Sequence, residues 1–443
     1  MDHVDNKDLW NKAVNDRPRP HRWVAGGVPA RLRMAGSALG AVLTITAVQA
    51  AFGGPASAAP VPPATTAATA GPVAAAEPVA AAGLVARHWG SFFGNTNGDV
   101  DTHWWPATVR LPGQIAQVAS SNSTEYALLT NGSLYTWGLG SQGELGDGGT
   151  ANSFEKPVRV RFPAGVKIAS LPADAMPYDT GLALDTRGRA WGWGKNAGGS
   201  LCLGTTRMYL TPVELPLRDV TTLAGASTHT LFDAGGTVYS CGANLSGDLG
   251  DGTKTGSTTP VKVAGLGGRA VVQLVASFAN SGALLSDGTY YDWGYDRAGQ
   301  LGNGRVGRQS DVPVRVRLPG PVRQVALGGS IWDNGQTLVL LRDHAVWAWG
   351  NDSAGQLGNQ AERSEPSPIQ IHPPHGVIYS SLATGATTSY AISAAGKVYA
   401  WGLSDFGQSG DGSTATSLTP IRITSRAVGI SATADNIVID RRP

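Results

Sequence analysis

Cysteine is almost missing from this chain: among its 443 residues only Cys202 and Cys241 carry a thiol. Two thiols exclude a disulfide framework and a four-cysteine zinc site. They leave either one bridge, which an exported protein could keep, or two buried small apolar side chains. Charge is scarce as well. Asp, Glu, Lys and Arg make up 15% of the chain and the formal net charge is +2. Beyond Ala59, 27 basic residues face 28 acidic ones. That balance offers no basic surface, so no nucleic-acid partner is expected. The spaced signatures of catalysis are lacking too: there is no G-x-S-x-G elbow, no H-E-x-x-H pair and no phosphate loop. The histidines are scattered, and the one close pair, His372 and His375, flanks two prolines without further ligands in view. Asn95, Asn97, Asp99 and Asp101 form an Asx-rich stretch lacking the Gly and the terminal Glu of a calcium loop. No metal, no cofactor and no enzymatic activity are therefore expected.

Glycine, at 60 residues, and tryptophan, at 13, are abundant, and both recur periodically. A WG pair followed by a Gly-rich turn begins at Trp89, Trp137, Trp193, Trp293, Trp349 and Trp401, with Cys241 in the Trp position of one copy. The copies are 48 to 56 residues apart. A second landmark is a proline read as opening a short strand: Pro106, Pro157, Pro212, Pro260, Pro313, Pro368 and Pro420. A third is an apolar strand ahead of each turn, from YALLTNG to NIVID. Each unit thus offers about four short strands, and an isolated sheet of that size leaves two apolar faces uncovered. Radial stacking covers them. The expected fold is all-β: a seven-bladed β-propeller of four-stranded antiparallel blades over residues 84–443. The aromatic strand at LVARHWG has no preceding strands, and the last unit has no aromatic strand. One blade is therefore expected to be closed by both termini, which removes an open edge.

Residues 1–58 read as a secretory signal. Five arginines between Arg17 and Arg33 precede the apolar run 34–53, and small residues at Ala56, Ser57 and Ala58 supply a cut site. The run is also long enough for an uncleaved anchor. Residues 59–83, rich in Ala, Pro and Thr, read as a disordered linker. These segments imply a bacterial-type, extracellular protein, free of the membrane once cleaved, and a monomer.

The motif WG-x4-GQLG-x-G, clearest at Trp293–Gly304 and Trp349–Gly358, resembles the regulator of chromosome condensation repeat family, and the resemblance covers residues 84–443. It implies a propeller. In the founding eukaryotic members it implies nucleotide exchange on the small GTPase Ran and chromatin binding. In secreted bacterial members it implies inhibition of β-lactamases through loops on one face. The family's G-x-x-H-type loop is matched only at GASTHT, with His229. On location, the favoured reading is a secreted binding module that recognises a protein or a cell-wall-associated partner through loops on one face, in the inhibitory manner. The alternatives are an exchange-factor-like regulator of a small GTPase and a hydrolase with carboxylates in the channel. Aromatics with no repeat role are the candidate anchors, since aromatic and Arg side chains dominate protein interfaces. They are Phe92, Phe93, Trp104, Trp105, Tyr178, Tyr209, Tyr295, Trp332 and Phe406, together with Arg297. Against this stands the simpler possibility that each folds back onto its own blade.

Overall fold

A computed structural model describes residues 85–91, 102–173, 176–329, 335–405, 407–424, 426–433 and 436–441. All lie in one unit, Leu39–Pro443. The segments read as signal and linker lie outside the described residues.

The described strands pair into four-stranded antiparallel sheets, seven in all. In the first, Ile115–Ser120 is innermost, then Thr124–Leu129 and Leu134–Gly138, with Ser153–Arg159 outermost. The same inner-to-outer order recurs over 168–214, 220–262, 271–315, 322–371 and 379–424. These are blades one to six. The expectation of a seven-bladed propeller is corrected here to six blades, each built from one uninterrupted stretch of chain. The copy at Trp89 makes no blade of its own. Its strand, Val85–Ser91, pairs on one side with Thr102–Val109 and on the other with Asn436–Arg441, which in turn pairs with Ala427–Thr433. This closing sheet draws on both ends of the described chain. Its inner strand, Ala427–Thr433, stands beside the inner strands of blades one and six.

The prolines do not open strands as expected. Pro313 is the fourth residue of Ser310–Arg315, and Pro157 the fifth of Ser153–Arg159. They sit where pairing with the aromatic strand slips, as between Asp292↔Val314 and Gly294↔Ser310. An outermost strand needs no N–H on its free side, and a bulge needs none on its paired side, so proline is tolerated in mid-strand.

The core lies between blades. Leu338, Leu340 and Ala348 of blade five pack with Leu382, Ala391 and Trp401 of blade six. The WG tryptophan is the wedge at each such junction. Trp193, Trp293, Trp349 and Trp401 are buried, and each indole N–H donates to a carbonyl in the turn of the preceding blade. The acceptors are Glu144, Asp248, Gln300 and Gln356, at 2.8–3.0 Å. The ring lies flat against the glycine two residues after that carbonyl. A Cβ at Gly250 would come within 2.6 Å of Trp293 Nε1, and one at Gly302 within 2.7 Å of Trp349 Nε1. Both glycines also have positive φ, so nothing larger fits the space or the backbone.

One junction breaks this pairing at both partners. Cys241 replaces the tryptophan, and Cys202 replaces the glycine, with φ of 59°. The two form a disulfide with Cα atoms 5.5 Å apart, joining blade two to blade three. Glycine's vacant space and the indole's volume are exchanged together for two linked sulfurs.

Nearer the axis, glutamines clamp neighbouring inner strands. Gln273 Nε2 donates to Val325 O (2.8 Å) and its Oε1 accepts from Val325 N (3.0 Å). Gln324 does the same to Leu382, and Gln117 to Leu171.

Candidate protein-binding face

Antiparallel order places two loops of every blade at the same end: the loop from the inner to the second strand, and the loop from the aromatic to the outer strand. The second of these is the Gly-rich turn, and it is internally braced. Asn196, Asn244, Asp296 and Asp352 each accept, through Oδ1, the N–H of the leucine five residues on, at 2.9–3.2 Å; Ser404 Oγ takes the N–H of Ser409 in the same way. Glu144, Asp248, Gln300 and Gln356 each accept an N–H from two residues earlier. Side chains displayed by these turns therefore stand on a preformed frame that is anchored to the next blade's core.

A charged cluster of this face spans blades one and two. Lys195 Nζ lies 3.1 Å from Asp179 Oδ2, and Ser123 Oγ donates to Asp179 Oδ1 at 2.8 Å. Asp179 is buried and has φ of 56°, which aims its carboxylate between the blades. The Lys195 ammonium also lies 5.2 Å from the centroid of Tyr178, within cation–π range. Beneath them Glu144 is fully buried. Burial pushes its carboxyl up to about 7, the neighbouring Asp179 charge adds to that rise, and the backbone N–H groups that donate to it and Lys195 oppose it. Burial likewise pushes Asp248 and Asp352 up to about 7 and Asp296 to about 6. His229, the remnant of the family loop, is buried against Ser281 Oγ at 2.8 Å and pushed down to about 4 by that burial, so it is neutral at physiological pH. These acids brace turns. No group of three or more His, Cys, Asp or Glu able to hold a metal occurs among the described residues.

Four of the ten sequence-selected anchors have described side chains. Tyr178 is half-buried under Lys195. Tyr209 is half-buried under the Arg207 guanidinium, 4.9 Å from its centroid. Tyr295 is half-buried and Arg297 exposed, both on a blade-four turn. Tyr178 and Tyr209 are each covered by a cation of their own blade, and no ring contact joins the three tyrosines among the described residues. Trp104 and Trp105 lie on Thr102–Val109, with side chains outside the described set; Phe92, Phe93, Trp332 and Phe406 lie outside the described residues altogether. Sequence reasoning missed Lys195, Asp179 and Glu144. Only the blade-one to blade-two junction joins them, and no local spacing announces it.

The model of the "Regulator of chromosome condensation (RCC1) repeat" matches residues 131–171, 235–283, 287–331 and 343–392. Each match runs from one blade's aromatic strand into the next blade, so the unit of sequence straddles the unit of structure. The human "E3 ubiquitin-protein ligase HERC2" is 29% identical over 310 residues, which are 68% of this chain but 6% of that protein. The Arabidopsis thaliana "Ultraviolet-B receptor UVR8" is 28% identical over 70% of each chain. Among solved structures, Prp20p of Saccharomyces cerevisiae, described with its binding to Gsp1p and histones, superposes with a TM-score of 0.69 at 22% identity over 81% of this chain and 91% of its own. These findings correct the expectation of a secreted bacterial relative. The matched proteins come from human, mouse, Arabidopsis and yeast, and one is named as mitochondrial. The readings of a bacterial source, a signal peptide and an extracellular location are withdrawn on that ground. Four stretches of the chain are similar to the RCC1 repeat, and the described residues have the β-propeller fold of the matched solved structure.

Proposed function

We propose that this chain is a non-enzymatic, protein-binding regulator that docks a small GTPase on its braced loop face. The observation that carries the reading is the Tyr178–Lys195–Asp179 cluster. A half-exposed aromatic and a cation are held there by a buried carboxylate, the cation at the start of a braced turn. Such preorganisation lowers the entropic cost of association. The GTPase as partner class rests on the exchange activity that the repeat resemblance implies and on the binding of Gsp1p by Prp20p. Cell-wall recognition and enzyme inhibition fall away with the export reading.

The test is release of a fluorescent guanine nucleotide from a panel of small GTPases, Ran included, with and without the full chain, alongside direct binding. Binding of at least one nucleotide-free GTPase is expected. It should weaken about tenfold or more in Lys195→Glu, since reversing an interface charge opposes a complementary partner. Absence of binding across the panel would sink the GTPase reading. Binding that Lys195→Glu leaves unchanged would remove the loop face from it.

A further inference from the structure

Between the outermost strands of blades four and five lies a groove of about 820 Å³. One wall is Ser310–Arg315 and its continuation to Arg317; the other is formed around Pro368 of Glu365–Ile371. The turn of blade four closes one end, tied across by Gly304 N donating to Pro366 O at 2.8 Å. Four guanidinium groups line it: Arg305 and Arg308 from the turn, Arg315 and Arg317 from the strand side. All four are exposed, none forms an ion pair among the described residues, and no carboxylate lines the groove. The exposed Asp287 carboxyl is held low chiefly by Thr289 and in small part by Arg269 and Arg315. In a chain of net charge +2, four unpaired arginines around one concavity are a local excess.

We infer that this groove is a docking site for an acidic, extended segment of a partner protein, laid as an added strand along the outer edge of blade four. Two features favour a peptide over a nucleic acid. The strand Ser310–Arg315 is the last of its sheet; Asp311 O is taken by Gly252 N, Val312 N and O by Ser310 Oγ, and Pro313 has no N–H, so the main chain from Arg315 onward is what an incoming strand would pair with. The lining has no aromatic ring on which a base would stack; its apolar members are Val314 and Pro368. The strand ladder continues past Arg315, since Val316 N donates to Tyr290 O at 3.0 Å. Arg315 and Arg317 are therefore two positions apart on extended backbone, roughly 6.6 Å along the chain. An incoming strand places every second side chain at that same interval. The site thus selects for acidic residues at alternate positions, each carboxylate facing one guanidinium in the forked geometry arginine favours. The groove takes in the Gly-rich turn of blade four and so shares the loop end, but it lies at blades four and five, whereas the Tyr178–Lys195–Asp179 cluster of the proposed function belongs to blade two.

Two labelled twelve-residue peptides of one composition, six Glu and six Ser, supply the test. In one the acids alternate with serine; in the other they form a block. Each is titrated against the full chain by fluorescence anisotropy, with a single-stranded DNA of equal charge as a third probe. The alternating peptide is expected to bind several-fold more tightly than the blocked one, and about tenfold more weakly to the variant Arg315→Glu/Arg317→Glu. All four arginines are exposed, so the melting temperature should hold. Arg305→Ala/Arg308→Ala gives a second reading from the turn should the strand variant fail to fold. Equal binding of the two peptides would overturn strand addition. Tighter binding of the DNA, or binding indifferent to both variants, would overturn the site. GTPase binding should survive in Arg315→Glu/Arg317→Glu, whose changes lie on the outer-strand side and not in the turn, which separates failure here from failure of the loop-face reading.

Discussion

Glu144 and Asp352 show how the repeat tolerates acids in its turns. Their positions are occupied in other blades by uncharged counterparts: Gln300 and Gln356 stand where Glu144 does, and Asn196 and Asn244 where Asp352 does. All make the same N–H contacts. A carboxyl whose folded-state pKa is raised contributes stability that is complete below its unfolded pKa and is lost as pH rises through the folded value. For both residues that window runs from the ordinary carboxylate range, near 4, up to about 7. Glu144→Gln and Asp352→Asn should therefore raise the melting temperature at pH 8, and the gain should shrink toward zero by pH 4. Thermal scans across that range check it; a gain equal at both ends would contradict the burial argument. The disulfide yields a second prediction at this scale. Cys241→Trp alone would drive an indole against the Cys202 side chain, and Cys202 would keep a left-handed backbone that costs a non-glycine residue about 1–2 kcal/mol. The double variant Cys202→Gly/Cys241→Trp recreates the pair found at the other junctions. It should melt well above either single change when all are compared under reducing conditions.

At the scale of the element, the inner strands are held to each other by side chains as well as by packing. Gln273 supplies both a donor and an acceptor to Val325, so Gln273→Ala leaves a buried N–H and a buried carbonyl without that partner. The expected cost is about 1–3 kcal/mol, which chemical denaturation can measure. Gln273→Glu should be worse, because the lost donor faces a carbonyl across the same contact. Nothing in VVQLVA marks Gln273 as a clamp. Alternation predicts which residues of the strand face the blades, but the partner lies 52 positions away and is brought near only by blade stacking. The prolines teach the converse lesson. The sequence suggested a strand-opening role that the structure does not show, because the register slip that admits proline in mid-strand exists only once the aromatic strand is paired.

For the whole molecule, closure is the decisive event. Val85–Ser91 is paired on both sides, to Thr102–Val109 and to Asn436–Arg441. Deleting residues 1–83 removes no described strand and should leave the melting temperature unchanged. Deleting through Ser91 takes out the middle of the closing sheet and leaves an unpaired edge at Asn436–Arg441. Domains are marginally stable, by about 5–15 kcal/mol, so the shorter chain should melt much lower or aggregate. Equal melting of the two deletions would mean that the closing sheet contributes nothing to the ring.

By itself, the sequence determined the repeat, the strand content, the wedge tryptophans, the dependence of one sheet on both ends of the chain and the scarcity of catalytic groups. All of these follow from local periodicity and from residue types whose conformational limits are intrinsic. Only the tertiary structure decided that the blades made from one continuous stretch number six, that Cys202 and Cys241 replace a glycine and a tryptophan facing each other across a junction, and that Lys195, Asp179 and Glu144 form one cluster. It also decided that four arginines of ordinary appearance share a groove. The physical reason is common to these cases. Each depends on which residue of one blade meets which residue of the next, and that register is set by radial packing between segments some fifty residues apart, which no window along the chain contains.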